Sequence, residues 1–308
     1  MNDSRLRISE TAAFIGFGEA GQALADGWRS EAEMVIRAYD IKTDDRRTRD
    51  GKMDDYARHA VTPAVSAVEA AEGADIVVSA VTADAVLDAA DSVLPVLGAG
   101  QLYLDINSAA PSKKREAAER IAEAGGSYVD VAVMAPVHPS LHRTPLLIGG
   151  PGAKHIEPLL NKLAMNFEII SENVGDASTV KMVRSIMIKG IESLTVECIL
   201  AAVKAGIDDR ILDSLEKSFP GMNWRRRAGY MMERVVMHGE RRAAEMREVT
   251  TMLEDMGIGG TMASATAERQ QWMADLAPAA RFPDGLPGDY RVLATAILAL
   301  HSEKDTPS

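Results

Sequence analysis

A short apolar run near the N-terminus leads directly into a glycine-rich turn, and helical spacing follows. Residues 12–17 are mostly apolar, residues 16–21 read Gly-Phe-Gly-Glu-Ala-Gly, and Leu24 and Trp28 then recur at helical spacing. In such a GxGxxG turn, the first glycine allows a tight bend and the second lets the backbone approach a diphosphate. The third lets the helix pack closely on the strand. The arrangement predicts a strand, a phosphate-binding turn and a helix in an open α/β sheet.

Apolar runs of strand length alternate with helical patterns through the first half of the chain. Several runs are apolar throughout, which is typical of parallel strands covered by helices on both faces. Helices are predicted between them at Ala83–Leu97 and Pro111–Ala124. The predicted strands are Ala12–Phe17, Val35–Tyr39, Ile76–Val81, Leu102–Ile106, Tyr128–Val133, Leu146–Gly149 and Phe167–Ile170.

The strand signals stop after about Val174, and helical spacing continues to the end of the chain. We therefore predict an α/β fold, with an N-terminal Rossmann domain and its doubly wound, mainly parallel sheet over residues 1–174. An all-α C-terminal domain over residues 175–308 follows, beginning with a long interdomain helix at about 176–205. Further helices are predicted at 208–217, 224–237, 241–256, 261–276 and 290–300.

Composition narrows the possible partners and the cellular compartment. The net charge of −11 argues against nucleic acid or an anionic membrane as the main partner, because both attract basic surfaces. Cys198 is the single cysteine, so an intrachain disulfide is impossible, and its apolar surroundings indicate core packing. Residues 1–10 lack the apolar run of a signal peptide, and no run is long enough to span a membrane. A cytoplasmic location is expected.

Asp40 follows the second predicted strand, about 20 residues after the glycine turn. A carboxylate there can accept hydrogen bonds from the ribose hydroxyls of NAD, and it repels the 2′-phosphate of NADP. The alternative interpretation is an aspartate that caps a turn. Lys42, Arg46 and Arg47 lie just beyond and would suit a phosphate, unless they form a solvated basic loop. NAD is the expected cofactor and NADP the alternative.

Val81 and Thr82 lie at the end of the predicted strand Ile76–Val81, where a doubly wound fold places its loops against the dinucleotide. Thr82 could also cap a helix that begins near Ala83. The residues predicted to contact the cofactor are Gly16, Phe17, Gly18, Glu19, Ala20, Gly21, Asp40, Val81 and Thr82.

Three further segments carry a resemblance to a known family. After the glycine turn come Asp-Ile-Asn-Ser-Ala-Ala-Pro at 105–111, Val-Asp-Val-Ala-Val-Met-Ala-Pro at 129–136, and Gly175 with Lys181. In this order they resemble the β-hydroxyacid dehydrogenases, which include 3-hydroxyisobutyrate dehydrogenase and 6-phosphogluconate dehydrogenase. The resemblance spans about residues 11–277 and looks closest to a phosphogluconate-dehydrogenase-like branch with a distinctive C-terminal domain.

The resemblance implies that Lys181 is the catalytic general acid/base. A lysine can take the proton of a substrate hydroxyl when burial or neighbouring positive charge lowers its pKa. The alternative is a lysine that extends from a helix surface. Ser185 lies one helical turn later, where the family usually carries a substrate-binding asparagine, and Lys189 continues the same face. Lys189 would meet a substrate anion or pair with an acidic neighbour.

Departures from the family pattern concern the substrate. Ile188 stands where 6-phosphogluconate dehydrogenase has the glutamate that protonates its enol intermediate, which argues against decarboxylation. Met134, Ala135 and Pro136 replace the family's Ser-Gly-Gly loop and predict a more apolar pocket. Ala-Glu-Met at 244–246 replaces the family's Lys-Asp-Leu, although Arg241 and Arg242 lie nearby.

Asn107 and Ser108 stand where the family binds substrate and nicotinamide, with turn formation before Pro111 as the alternative. His138 and His142 have no third ligand in the sequence pattern, so no metal site is expected. The residues predicted to bind substrate are Asn107, Ser108, Met134, Ala135, Pro136, Ser185 and Lys189.

The leading hypothesis is an NAD(P)-dependent dehydrogenase that acts on a small, anionic hydroxy acid or related alcohol, without decarboxylation. Imine reductases share the two-domain plan, but they usually carry aspartate or tyrosine in place of Lys181. A dinucleotide-binding regulatory protein without turnover is the alternative outside the enzymes. The family resemblance also implies a homodimer formed through the helical domain.

Overall fold

The structure, a computed structural model, describes residues 11–305, so the expectation about residues 1–10 lies outside the described part. The chain divides into two compact units, Met1–Met182 and Val183–Ser308. Sequence reasoning placed the boundary at residue 174, where the strands end. The division between the two units falls inside a long helix, whose first turn is hydrogen-bonded to the sheet of the first unit.

An eight-stranded sheet with the order β3-β2-β1-β4-β5-β6-β7-β8 forms the first unit. All neighbouring strands are parallel except β6 and β7. This is the doubly wound order, with the switch point between β1 and β4, and it confirms the predicted mainly parallel Rossmann sheet. The strands are β1 Thr11–Ile15, β2 Val35–Tyr39, β3 Thr62–Pro63, β4 Ile76–Ser79, β5 Leu102–Asp105, β6 Ser127–Val133, β7 Leu146–Gly149 and β8 Phe167–Ile169.

The strand predictions missed one strand and extended two others too far, including the first, which was predicted to reach Phe17 but ends at Ile15. β3 was missed, because it is a two-residue edge strand that ends in a proline and carries no apolar run. β4 ends at Ser79, so Val81 and Thr82 lie beyond the strand. Val81 still packs against the core on one face of the sheet, which makes the apolar run longer than the strand.

Six helices cover the two faces of the sheet, with the helix predicted at Pro111–Ala124 present as α5. The prediction of one helix at Ala83–Leu97 was wrong: a 3₁₀ turn at Ala83–Ala85 and a short helix occupy that stretch. The helices are α1 Glu19–Glu31, α2 Arg46–Arg58, α3 Ala67–Ala71, α4 Val86–Asp91, α5 Pro111–Glu123 and α6 Ala153–Lys162. Helix α2 has no apolar stripe of its own, since only Lys52 and Tyr56 are buried on it.

Alternate residues of each strand point to opposite faces and build two cores. In β1, Phe14 joins the core on one face and Ile15 joins the core on the other. Both faces of the sheet are therefore shielded from water, which explains why the strand sequences are continuous apolar runs. Polar groups at the carboxyl ends of these strands must find partners inside the protein.

Up to residue 305, the second unit contains helices, connecting loops and a 3₁₀ turn at Pro278–Arg281, and no strand. The helices predicted at 224–237 and 241–256 are both present in α9, and they meet at a kink at His238, where φ −131° and ψ 15° are not helical. The helices are α7 Asp176–Ala205, which starts in the first unit, α8 Asp208–Ser218, α9 Trp224–Asp255, α10 Thr261–Leu276 and α11 Tyr290–Asp305. Their shared core includes Ile199, Met232 and Ile297.

Between residues 11 and 305, no helix has both the length and the apolar character needed to cross a membrane.

Gly27 in α1 is expected to tolerate no side chain. A Cβ at this position would lie 2.0 Å from Nδ1 of His142, whose ring is buried against the helix. We expect Gly27→Ala to lower the free energy of unfolding by about 1–3 kcal/mol through overpacking. Urea unfolding of the variant and the wild type measures this difference.

Gly51→Ala is the matched control, because Gly51 also lies inside a helix but has open space around its Cβ position. It should raise stability by up to about 1 kcal/mol, as expected for alanine in place of a helical glycine. Equal effects of the two substitutions would contradict the packing of His142 against α1.

Candidate active site

The glycine turn lies at the switch point of the sheet, between β1 and α1. Gly16 has φ +82°, and a Cβ there would come within 2.4 Å of the backbone oxygen of Ala80. Gly18 is the N-cap of α1, and no atom lies within 4 Å of its Cβ position. A turn that only glycine can form therefore opens onto free space at a helix N-terminus. Helix N-termini with open space attract anionic groups such as diphosphates.

The other residues of the turn differ in exposure. Phe17 is buried, and its ring lies against that of Tyr56 at a tilt of 46°, with ring centroids 5.4 Å apart. Gly21 is packed closely, since its Cβ position lies 3.3 Å from the backbone oxygen of Gly16. Glu19 and Ala20 begin α1, with Glu19 exposed. The turn thus presents backbone rather than side chains.

Asp40 follows β2 directly and is almost fully buried. One carboxylate oxygen accepts from the Phe17 N–H at 2.8 Å and the other from the Lys42 N–H at 3.0 Å. The second bond is that of a turn-capping aspartate, so the alternative interpretation describes one of its contacts. A carboxylate oxygen can accept two hydrogen bonds, which leaves acceptor capacity for ligand hydroxyls.

A buried lysine stands beside this aspartate. Lys52 Nζ lies 3.9 Å from the Asp40 carboxylate and donates to the Phe17 backbone oxygen at 2.8 Å. It also forms an ion pair with Asp55 at 2.7 Å. Sequence reasoning considered Lys42, Arg46 and Arg47 as the basic groups near Asp40 and missed Lys52. The Arg47 guanidinium is engaged by the Asp45 carboxylate at 2.7 Å.

Val81 and Thr82 lie in the segment after β4. The Val81 N–H donates to Oδ1 of Asn107 at 2.7 Å. Thr82 begins the 3₁₀ turn, but its side chain does not cap that turn, so the capping interpretation of Thr82 was wrong. Its hydroxyl instead bonds to the Asp84 carboxylate and lowers the pKa of that group.

The side chain of Asn107 is bonded on both of its polar atoms. Its Nδ2 donates to Oγ of Ser79 at 2.9 Å, and its Oδ1 accepts from Val81. Its backbone N–H donates to the Asp105 carboxylate at 2.8 Å. Asn107 thus connects the carboxyl ends of β4 and β5, while Ser108 after it is half-buried.

A fully buried ion cluster lies under this edge. Lys114 of α5 places its Nζ 2.9 Å from the Asp130 carboxylate and 3.6 Å from the Asp105 carboxylate, and none of the three side chains is exposed. Burial would lower the pKa of Lys114, but the two carboxylates outweigh it and hold that pKa above its ordinary value. Tyr128 donates its hydroxyl to Asp105, and burial together with that carboxylate raises its pKa.

The first turn of α7 is attached to the same cluster. The Asp130 carboxylate accepts from the N–H groups of Gly175 at 2.9 Å and Ser178 at 3.2 Å, and from the Ser178 hydroxyl at 2.7 Å. Burial raises the pKa of Asp130, but the Lys114 ammonium and the Ser178 donors outweigh it, and the pKa is lowered. Lys181 is half-buried and lies one helical turn after Ser178.

Sequence reasoning did not single out Lys114 as a site residue. A signal was present, because Lys114 occupies the apolar stripe that Ala110, Ala117 and Ile121 form at helical spacing. A lysine in such a stripe must be paired inside the protein.

The segment in place of the family's substrate loop follows β6. Met134 is half-buried, with its N–H bonded to the Pro145 oxygen at 2.9 Å, whereas Ala135 and Pro136 are exposed. His138 is exposed and His142 is buried. In the described part of the chain, no group of three or more potential ligands could hold a metal ion.

In the second unit, Lys189 is buried and paired. Its Nζ lies 2.6 Å from the Glu245 carboxylate and 3.4 Å from Oγ of Ser185. Arg241 contacts the same carboxylate at 2.6 Å, and Arg242 pairs with Glu192. Burial outweighs Glu245 and lowers the pKa of Lys189. Lys189 thus pairs with an acidic neighbour, one of the two alternatives for this residue, although the pair is buried rather than exposed.

Residues 11–173 match the family described as the NAD-binding domain of 6-phosphogluconate dehydrogenase. The chain belongs to this family. The match confirms the resemblance to the β-hydroxyacid dehydrogenases, and it assigns the glycine turn to an NAD-binding domain. Residues 202–273 match a second family, described as a domain of unknown function, DUF1932. The distinctive C-terminal domain is thereby confirmed.

Three relatives illustrate the similarity. A conserved hypothetical protein from Sinorhizobium meliloti 1021 is 36% identical, with a TM-score of 0.75, over 96% of this chain and 98% of that chain. The 2-hydroxy-3-oxopropionate reductase of Escherichia coli K12 is 28% identical over 46% of each chain. The 3-hydroxyisobutyrate dehydrogenase of Mycobacterium tuberculosis has a TM-score of 0.69 at 17% identity, over 94% of this chain and 99% of that chain, and shares its fold.

We expect Asp130→Asn to lower the free energy of unfolding by about 3 kcal/mol at neutral pH, because it leaves the buried Lys114 ammonium with one carboxylate fewer. The pKa of Asp130 is depressed in the folded protein, so its contribution is present above its unfolded pKa of about 3.9. That contribution is lost as the pH falls through the folded pKa. In urea unfolding, the difference in the free energy of unfolding between the wild type and the variant should therefore become smaller below about pH 4.

Glu119→Gln on the exposed face of α5 is the control, and its stability should follow that of the wild type at every pH. A deficit of Asp130→Asn that stays constant down to about pH 3 would show that the charge of Asp130 is not its source.

Proposed function

We propose that this protein is an NAD-dependent dehydrogenase that oxidises the hydroxyl group of a small hydroxy acid, with Lys181 as general base. The observation that carries the proposal is the attachment of α7 to the nucleotide-binding unit. The N–H groups of Gly175 and Ser178, at the start of the helix that bears Lys181, donate to Asp130, which is in register with Asp105 at the carboxyl edge of the sheet. In doubly wound sheets, ligands bind outside this edge.

The residues of the glycine turn fit NAD. The open space at Gly18 and the uncapped first turn of α1 suit a diphosphate, and Asp40 has acceptor capacity for the ribose hydroxyls. When bound, NAD supplies the nicotinamide carbon that accepts a hydride. Lys52 partly offsets the charge of Asp40, so we propose a preference for NAD over NADP rather than exclusion of NADP.

The proposed step transfers one hydride and one proton. The C–H bond of the alcohol carbon breaks, and its electron pair leaves with the hydride while the carbonyl forms. Lys181, as a neutral amine, takes the hydroxyl proton on its Nζ. In the reverse direction, Lys181 returns that proton to the carbonyl oxygen. The side chain of Ile188 cannot donate a proton, so we propose no decarboxylation.

The cofactor assignment predicts that a substitution at Gly18 weakens NAD binding without disturbing the fold. A Cβ at Gly18 meets no protein atom, so Gly18→Ala should fold normally, yet it should occupy the space proposed for the diphosphate. We expect the Kd for NAD to rise about tenfold or more, which corresponds to about 1.4 kcal/mol. Thermal-shift titration of NAD and NADP measures both affinities, and the wild type should bind NAD more tightly.

Gly51→Ala is the control for this titration, and it should leave both affinities unchanged. An unchanged affinity in Gly18→Ala would remove the diphosphate from the turn. The absence of any nucleotide binding by the wild type would overturn the dehydrogenase proposal itself.

The assignment of the base predicts a loss of turnover with retained nucleotide binding. Lys181→Met should lower kcat on the order of 100-fold or more, because general acid–base catalysis commonly contributes that much. The measurement is NADH formation with a panel of small 2- and 3-hydroxy acids at saturating NAD. Lys204→Met, an exposed position on the same helix, should keep full activity.

The competing functions give different results in the same panel. Unchanged turnover in Lys181→Met would refute its role as base. An imine reductase would instead leave the hydroxy acids untouched and oxidise NADPH or NADH with cyclic imines. A regulatory protein would bind nucleotide and turn over neither class.

A further inference from the structure

Lys114 lies where a lysine is seldom found. Its side chain is fully buried inside the first unit, between α5 and the sheet. Its Nζ donates to the Asp130 carboxylate at 2.9 Å and to the backbone oxygens of Asp105 at 3.0 Å and Val131 at 3.3 Å. An ammonium has three donors, so these bonds use its full capacity.

The cluster holds one cation and two anions, Asp105 and Asp130, which are direct neighbours in register on β5 and β6. Two carboxylates this close and this deep cannot both stay ionised at low cost without a cation between them. An apolar replacement of similar volume often stabilises a protein as well as a buried ion pair does. What the ammonium adds is a fixed geometry, because each of its bonds has a direction.

Two paths lead outward from the ammonium. One runs through Asp105 to Asn107, and from there to the Val81 N–H after β4. The other runs through Asp130 to the Ser178 hydroxyl and N–H groups in the first turn of α7. The first path ends at Val81, which is predicted to contact the cofactor, and the second ends at Ser178, one helical turn before Lys181.

We propose that Lys114 is a positioning residue, whose buried ammonium fixes the first turn of α7, and with it Lys181, relative to the segments at Val81 and Asn107. It contacts neither substrate nor cofactor and acts through Asp105 and Asp130. The inference rests on the proposed function, since it gives Lys114 a role in placing the proposed base. Misplacement of a reacting group by about 1 Å costs on the order of 100-fold in rate.

The test compares Lys114→Met with Ile121→Ala on the same helix. Ile121 is fully buried but belongs to the apolar stripe, so its truncation destabilises the unit without touching the ion cluster. Amide hydrogen exchange is followed for the full-length protein with NAD present. Peptides that cover residues 105–108 and 175–182 report the two paths, and a peptide that covers α1 reports the rest of the unit.

We expect Lys114→Met to speed exchange about tenfold or more in both path peptides, while α1 stays as protected as in Ile121→Ala. With a hydroxy acid of the panel that the wild type oxidises, kcat should fall on the order of 100-fold with little change in KM. Ile121→Ala should keep its kcat at temperatures below its unfolding transition. The double variant Lys114→Met/Ser178→Ala should have a kcat only slightly lower than that of Lys114→Met alone, because both substitutions act along one path.

Ser178→Ala serves as the second variant if Lys114→Met does not fold. It removes one donor to Asp130, so exchange should rise at 175–182 and stay unchanged at 105–108. Equal exchange changes in Lys114→Met and Ile121→Ala, or a Ser178→Ala profile like the wild type, would overturn the positioning role. The exchange measurement tests the positioning role of Lys114 even if no hydroxy acid is oxidised. Failure of the positioning role can therefore be told apart from failure of the proposed dehydrogenase function.

Discussion

Ser79, Asp105 and Asp130 stand in register across β4, β5 and β6, and none of them is exposed. Helices cover both faces of the sheet, so water cannot satisfy these groups, and unpaired burial would cost several kcal/mol for the charged ones. Lys114 meets this requirement for the two carboxylates from one side. The start of α7 meets it from the other, by donating its first N–H groups to Asp130. The need to satisfy buried charge therefore decides where the helix with Lys181 begins.

The second unit meets the same requirement with separate pairs. Lys189 lies against Glu245 and Arg242 against Glu192, and all four side chains are largely buried. A cation that is already paired in the interior has little free energy left for a substrate anion, because binding would have to replace an existing bond. Within this unit, the four residues form two ion pairs that join α7 to α9.

Hydrophobic periodicity predicted the strands and helices that carry an apolar run or stripe of their own. The long apolar strands, α5, and α7 at Asp176–Ala205 follow from local pattern, because each carries its own apolar run or stripe. The edge strand Thr62–Pro63 and the polar helix α2 exist because neighbouring elements hold them, and they leave no comparable signal. The kink in α9 at His238 falls between the two helices that the local pattern predicts, so this break was visible in the sequence.

The sequence alone determined the doubly wound sheet, the glycine turn and the residue types at the nucleotide edge. The reason is that a GxGxxG after a strand and an aspartate after the next strand are local requirements. Only the tertiary structure decided the partners. Asn107 links two strand ends through its side-chain hydrogen bonds, and Lys114 lies at the centre of a buried ion cluster. Their partners are distant in the chain, and strand register and helix packing bring them within hydrogen-bonding distance.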